Sequence, residues 1–198
     1  MPTEPNIVSF GLDNVHYAIL TETVGTGGAV TYSYSTPVPI PGAVTLTLEG
    51  SGESSPFYAD NITYYESVAN NGYTGDIEMA LIPDSMLTDV FGMALDSTSK
   101  VITESANTET KYIALLYRVQ ADKTNRDYVL YKCSLGRPNI GSTTITNTKE
   151  PQTQTMSISV IPRGDYKIKA HTTADTPTAT KAAWYTSVYD GAVAAGNS

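Results

Sequence analysis

Between Asn70 and Asp96 the chain reads NNGYTGDIEMALIPDSMLTDVFGMALD, and two hydrophobic periods meet in that stretch. Asn70-Asn71-Gly72 is a turn signal, because Asn and Gly tolerate the positive φ of tight turns. From Thr74 to Ile82 the residues alternate. Ile77, Met79 and Leu81 fall on one face of a strand, and Asp76, Glu78 and Ala80 fall on the other. Pro83 stops the strand, and Asp84 or Ser85 can cap a following helix. Met86, Leu87, Val90, Phe91, Ala94 and Leu95 then keep the i, i+3, i+4 spacing of one apolar helical stripe. A half-polar strand feeding an amphipathic helix is the expected local unit.

Outward from this unit the chain supplies more strands of the same kind. Val15–Glu22 is expected as a first strand, Tyr32–Ser35 as its partner, and Val24–Gly28 as a flexible tip. That tip lacks the Lys-Ser/Thr pair and the glycine spacing of a phosphate-binding loop. Pro37, Pro39 and Pro41 mark an extended segment kept out of a central sheet position. Val44–Glu49 turns Val44, Leu46 and Leu48 inward and Thr45, Thr47 and Glu49 outward. Further strands are expected at Ile113–Val119, Tyr128–Leu135 and Gln152–Ile161, with a short edge at Lys167–His171. In Gln152–Ile161, Met156, Ile158 and Val160 point inward and Thr153, Thr155, Ser157 and Ser159 outward. The fold class expected is mainly β, with about seven to nine antiparallel strands and one packed helix.

The totals agree with that class. Tyr supplies 14 of 18 aromatic residues and there are 28 Thr, both types suited to pleated, half-buried surfaces. At 198 residues the chain is expected to form a single domain, 1–198. An N-terminal arm (1–9), a long loop (50–63) and a C-terminal arm (179–198) are its irregular parts. No apolar run approaches the roughly 20 residues of a membrane-spanning helix. Met1–Asn14 is acidic and lacks the pattern of a signal peptide, so synthesis in the cytoplasm is expected. Cys133 is the only cysteine, which excludes a disulfide within the chain, and its strand-like setting points to a buried, inert thiol.

Charge is distributed unevenly. Residues 1–99 hold twelve acids and no Lys or Arg, whereas residues 100–198 hold twelve bases and eight acids. The halves carry −12 and +4, a contrast that suits opposed surfaces on copies of one chain. Intermixing of both halves around one core is the simpler outcome.

Candidate catalytic residues are few. Asp76 and Glu78, two apart on a strand, lie about 7 Å from each other, near the separation used by glycosidases. No aromatic cluster surrounds them in sequence to stack a sugar. His16 and His171 have no metal-ligand spacing to other donors. No metal or other cofactor is expected. What does recur is an outward face of hydroxyls and carboxylates without a base: Thr45, Thr47 and Glu49; Asp76 and Glu78; Thr153, Thr155, Ser157 and Ser159. Proteins that hold nucleic acid place Lys and Arg on phosphates and gain affinity by counterion release. A face of this composition would repel a duplex and let it slide; an ordinary solvated face is the alternative.

With these residues in view, the chain resembles the major tail proteins (tail tube proteins) of long-tailed bacteriophages of Gram-positive hosts. The resemblance spans nearly the whole length. It is carried by Phe10–Ala18, Pro39–Val44, Phe57–Asn61, Asn71–Glu78, Ala114–Tyr117, Arg137-Pro138, Glu150–Thr155 and Trp184–Tyr189 in that order. It implies a tail-tube-type β-sandwich or barrel assembled as hexameric rings that stack into a tube, made in the host cytoplasm and resident in the virion. Duplex DNA would pass through the lumen without specific binding. Tape measure, tail terminator and distal tail proteins would be partners, and no membrane would be involved.

On this resemblance Thr45, Thr47, Glu49, Asp76, Glu78, Thr155, Ser157 and Ser159 would face the lumen. Pro56, Phe57, Tyr58, Asp60, Asn61, Trp184 and Tyr185 would contact the next ring. The family implies no catalytic residues. Barrel geometry agrees, since a lumen wide enough for a duplex needs more strands than the about 16–18 of a porin, which only several copies can supply. Two rival expectations remain: a carbohydrate-binding β-sandwich of a tail fibre or adhesin, and a glycosidase using Asp76 and Glu78.

Overall fold

The computed structural model describes residues 8–121, 123–142, 144 and 151–191. In chain order the elements are β1 (Ser9–Val24), β2 (Val30–Tyr34), β3 (Val38–Pro39), β4 (Ala43–Gly50), β5 (Ser54–Ala59), β6 (Ile62–Val68) and β7 (Tyr73–Met79). Helix α1 (Asp84–Asp89) follows, then β8 (Ala94–Leu95), β9 (Ile102–Thr103), β10 (Ile113–Ala121), β11 (Arg126–Leu135), β12 (Gln154–Val160), β13 (Lys169–His171) and helix α2 (Thr178–Ala183). The protein is mainly β. Nine strands form one antiparallel sheet in the order β2-β1-β10-β11-β12-β7-β4, with β3 beside β1 and β13 beside β11.

The alternating segments explain where the main core sits. Tyr17 from β1, Ile113 and Leu115 from β10, Met156 and Ile158 from β12, and Ile77 and Met79 from β7 are all buried in one cluster. Leu46 and Leu48 of β4 pack against its edge. Strands near both ends of the sheet therefore share one interior, so the sheet curls around it. Met86, Val90 and Phe91 close the cluster from the α1 side. Each fully buried aliphatic or Met side chain contributes about 1.5–3 kcal/mol.

Strands β1, β10 and β11 are covered on their other face too. There Ala18, Ala114, Leu116, Val129 and Tyr131 form a second cluster under Trp184. Burial on both faces is why Ile113–Leu116 is a continuous apolar run rather than an alternating one.

Three segments depart from the sequence expectation. The helix is six residues long, and Ala94-Leu95 belong to a strand instead of its stripe. Val90 caps it, Phe91 N–H reaches back to Met86 O at 3.4 Å, and Gly92, at φ +66°, then turns the chain away. The expected loop 50–63 is half of a β-hairpin, β5–β6. The expected C-terminal arm begins with α2, and Thr178–Gly191 lies folded against the sheet. Residues 1–7 and 192–198, the outer parts of both expected arms, lie outside the described residues.

Candidate functional site

The three strands with hydroxyl-and-acid faces are neighbours. β7 lies between β4 and β12, and the registers place the polar residues in rows across the sheet. Thr45, Glu78 and Thr155 form one row; Thr47, Asp76 and Ser157 the next; Glu49, Thr74 and Ser159 a third. The opposite faces of the same strands carry Leu46, Ile77 and Met156, which explains the orientation: burying those apolar residues turns the polar set outward. Thr45, Thr47, Glu49, Thr74, Asp76 and Ser157 are exposed, and Glu78, Thr155 and Ser159 are partly so. This face contains three carboxylates and no base.

Glu78 organises the first row. Its two carboxylate oxygens accept hydrogen bonds from Thr153 and Thr45, both at 2.5 Å. These bonds, Thr153 first, hold its pKa below the ordinary glutamate value, so the carboxylate stays charged into mildly acidic solution. The hydroxyl row thus fixes a negative charge on an open surface.

The hairpin β5–β6 grows out of the same ladder. Backbone bonds from Ser51 N to Gly72 O (2.8 Å), Asn71 N to Ser51 O (2.8 Å) and Ala69 N to Glu53 O (3.1 Å) join β4–β7 to β5–β6. The turn is Asp60-Asn61, both at positive φ (52° and 63°), the two-residue reversal that matches strand twist. From Ser51 to Ala59, at about 3.3 Å per residue, this arm reaches about 30 Å. Phe57, Tyr58, Tyr64 and Tyr65 on it are 60–73% exposed, and Pro56, Asp60 and Asn61 are exposed beside them. Tyr64 and Tyr65 are not among the residues expected at a contact. The signal for them was the Asp-Asn pair flanked by β-forming residues.

Trp184 and Tyr185 lie elsewhere. Trp184 is buried in the second cluster, stacked on Tyr189 with ring centroids 5.3 Å apart, and its Nε1 donates to Tyr128 O at 3.4 Å. The Tyr185 hydroxyl donates to the buried Asp127 at 2.7 Å, on the same carboxylate oxygen that Arg118 Nε holds at 2.7 Å. Both side chains pack within the chain itself, Trp184 as a cover over the apolar sheet face and Tyr185 against Asp127.

Arg163 secures the end of that cover. Its buried guanidinium donates to Asp190 through both terminal nitrogens (3.1 and 2.9 Å), to Asp165 and to the Tyr34 hydroxyl (3.0 Å). It also lies 4.3 Å over the Tyr32 ring. Burial works against the charge of Asp190, but bonds from Arg163 and Lys167 outweigh it and leave its pKa below the usual aspartate value. Asp165 is lowered chiefly by its bond from Arg163.

Other candidate groups are dispersed. Cys133 is fully buried, and burial pushes its thiol pKa up to about 12. His16 stacks at a tilt on Tyr185, and His171 stacks on Tyr128. Among the described residues no group of three or more His, Cys, Asp or Glu is placed to hold a metal ion. No helix among them is long and apolar enough to cross a membrane.

Fold and surface together define a curled, antiparallel mainly-β protein with a base-free polar face and an exposed aromatic hairpin. No protein-family model matches the chain, and a search of curated proteins finds no match.

Proposed function

We propose that this chain is a structural subunit of a phage-type tail tube, self-assembling into stacked hexameric rings through which duplex DNA passes. The observation that carries the reading is the adjacency, in register, of β4, β7 and β12, which gathers the hydroxyl-and-acid residues on one face. The resemblance in sequence supplies the ring, the stack and the phage context. No catalytic step is assigned to any residue.

Chemically, such a face suits a passage. It offers no cation to displace the counterions of DNA, so there is no entropic gain on contact and no sticking. Its carboxylates repel phosphates at short range, and its hydroxyls keep the wall hydrated. β4 ends the sheet path, so its outer edge is available to continue the sheet into a neighbouring subunit and retire an exposed edge. The exposed arm suits the axial contact, a heterologous one that extends without closing. Tape measure, terminator and distal tail proteins are the partners this reading implies at the tube's interior and ends.

Negative-stain microscopy of the purified chain tests it. Rings or filaments with a hollow centre are expected. A discrete monomer or trimer that binds glycans would refute the tube and favour the carbohydrate-binding module, and turnover of a glycoside lost in Asp76→Asn would favour the enzyme.

A further inference from the structure

Beyond the main core, the core side of the sheet ends in a row of rings. Tyr117 of β10, Tyr128 of β11 and His171 of β13 are register partners across three strands. Tyr117 stacks on Tyr128 with ring centroids 5.1 Å apart and planes 5° apart, and Tyr128 on His171 at 5.2 Å and 23°. Among the described residues β13 pairs with β11 alone, so His171 ends the row, and it is exposed. Alternation puts Arg126 and Lys169 on the same face, two residues from Tyr128 and His171 on their own strands. Lys169 is exposed and lies 4.5 Å over the Tyr73 ring; Arg126 is half-buried.

These cations stand out in a chain of net charge −8. Arg118, Lys132, Arg137, Arg163 and Lys167 each hold a carboxylate. Among the described residues Arg126 and Lys169 have no carboxylate within ion-pair distance. Both nevertheless act on His171. Burial first, then their like charges, holds its pKa below the usual histidine value, so the imidazole is neutral at pH 7. Positive charges gathered beside an open neutral ring, with no acid among them, form a site that an anion completes.

We propose that this end of the row binds a nucleotide-type ligand, its planar base stacked on the open face of His171 and its phosphate held by Arg126 and Lys169. Every base has a π-face, so an aromatic row extends onto any of them, and flanking cations meet the charge of the backbone. A free nucleotide and a single strand share this chemistry; the strand also offers a phosphate on each side of the base. The site lies on the opposite side of the sheet from the hydroxyl-and-acid face, and the proposal does not depend on the tube reading.

Calorimetric titration of the full chain at low salt tests it, with adenosine monophosphate, ribose 5-phosphate and a short oligodeoxyadenylate as probes. Adenosine monophosphate should bind at least about tenfold tighter than ribose 5-phosphate, which lacks the base. His171→Ala should abolish that preference and leave the weaker phosphate binding. Arg126→Gln with Lys169→Gln, which breaks no ion pair among the described residues, should weaken both small ligands about tenfold or more with an unchanged circular dichroism spectrum. No binding of the mononucleotide at millimolar concentration, or binding that the double variant leaves intact, would overturn the site. A base preference that survives His171→Ala would overturn the stack. With the site upheld, tighter binding of the oligodeoxyadenylate than of the mononucleotide assigns a strand as the source, and equal or weaker binding a free nucleotide.

Discussion

Reversing the charge of the polar face gives the sharpest separation between a wall and an ordinary surface. In Asp76→Lys with Glu78→Lys, each change adds two charges, so the nine-residue face passes from three negative charges to one positive. Folding should survive. Asp76 is exposed, and Glu78 loses only solvent-facing bonds to Thr45 and Thr153. Retention of DNA should change much more. Two lysines meeting two phosphates give a salt slope near −2, which is about a tenfold loss of binding between 50 and 200 mM salt for each subunit engaged. Short duplex fragments, added during assembly and followed by nuclease digestion, would report what the tubes keep. Native tubes should protect almost nothing at either salt concentration; reversed tubes should protect DNA at 50 mM and release it at 200 mM. Equal protection by both would mean that these side chains do not line the passage.

Other outcomes follow from the packing. Asp190→Asn should cost about 1–2 kcal/mol, since Arg163 is buried and Asp190 is one-third exposed. Because the Asp165 and Asp190 pKa values are lowered in the fold, their contribution is present above the ordinary carboxylate value and lost as pH falls through the folded one. Thermal melts of native and variant protein should therefore converge as pH is taken below about 3.9. Gly72→Ala should destabilise by about 2–4 kcal/mol in a chemical unfolding curve, since φ is +99° and a Cβ would meet Val160 O at 1.9 Å. Cys133 should resist a thiol reagent in the native state and react fully in denaturant, given a thiol pushed up to about 12.

Much of the sheet could be read in advance because β4, β7 and β12 each have one wet and one dry face. Thr45, Thr47 and Glu49 against Leu46 and Leu48 is such a pattern, and its orientation followed from burial; Val44, expected inward with them, is instead exposed at the register shift between Ala43 and Thr45, and the order of the strands had no local signal. The β5–β6 arm had no such signature. Neither of its faces packs on the main core, so Phe57, Tyr58, Tyr64 and Tyr65 do not alternate with polar residues, and Pro56 further masked the strand. The helix was overextended because Ala94 and Leu95 kept helical spacing while Gly92 had already turned the backbone. The folded C-terminal segment depended on Arg163, whose partners Asp190 and Tyr34 lie 27 and 129 positions away. Long-range pairing of that kind leaves no local period.

The shared ladder of β4–β7 and β5–β6 has a consequence for variation in this protein. Side chains alternate with every residue, so an insertion of one residue on either side of the arm's root would rotate the arm by half a turn relative to the polar face. Without a further bulge like the one between Phe57 and Tyr58, lengthening keeps both faces only in steps of two residues on each strand, each step adding about 6–7 Å of reach. If copies stack as proposed, relatives with a different spacing between them are expected to differ at the hairpin by multiples of four residues, a parity rule that a collection of sequences can be counted against.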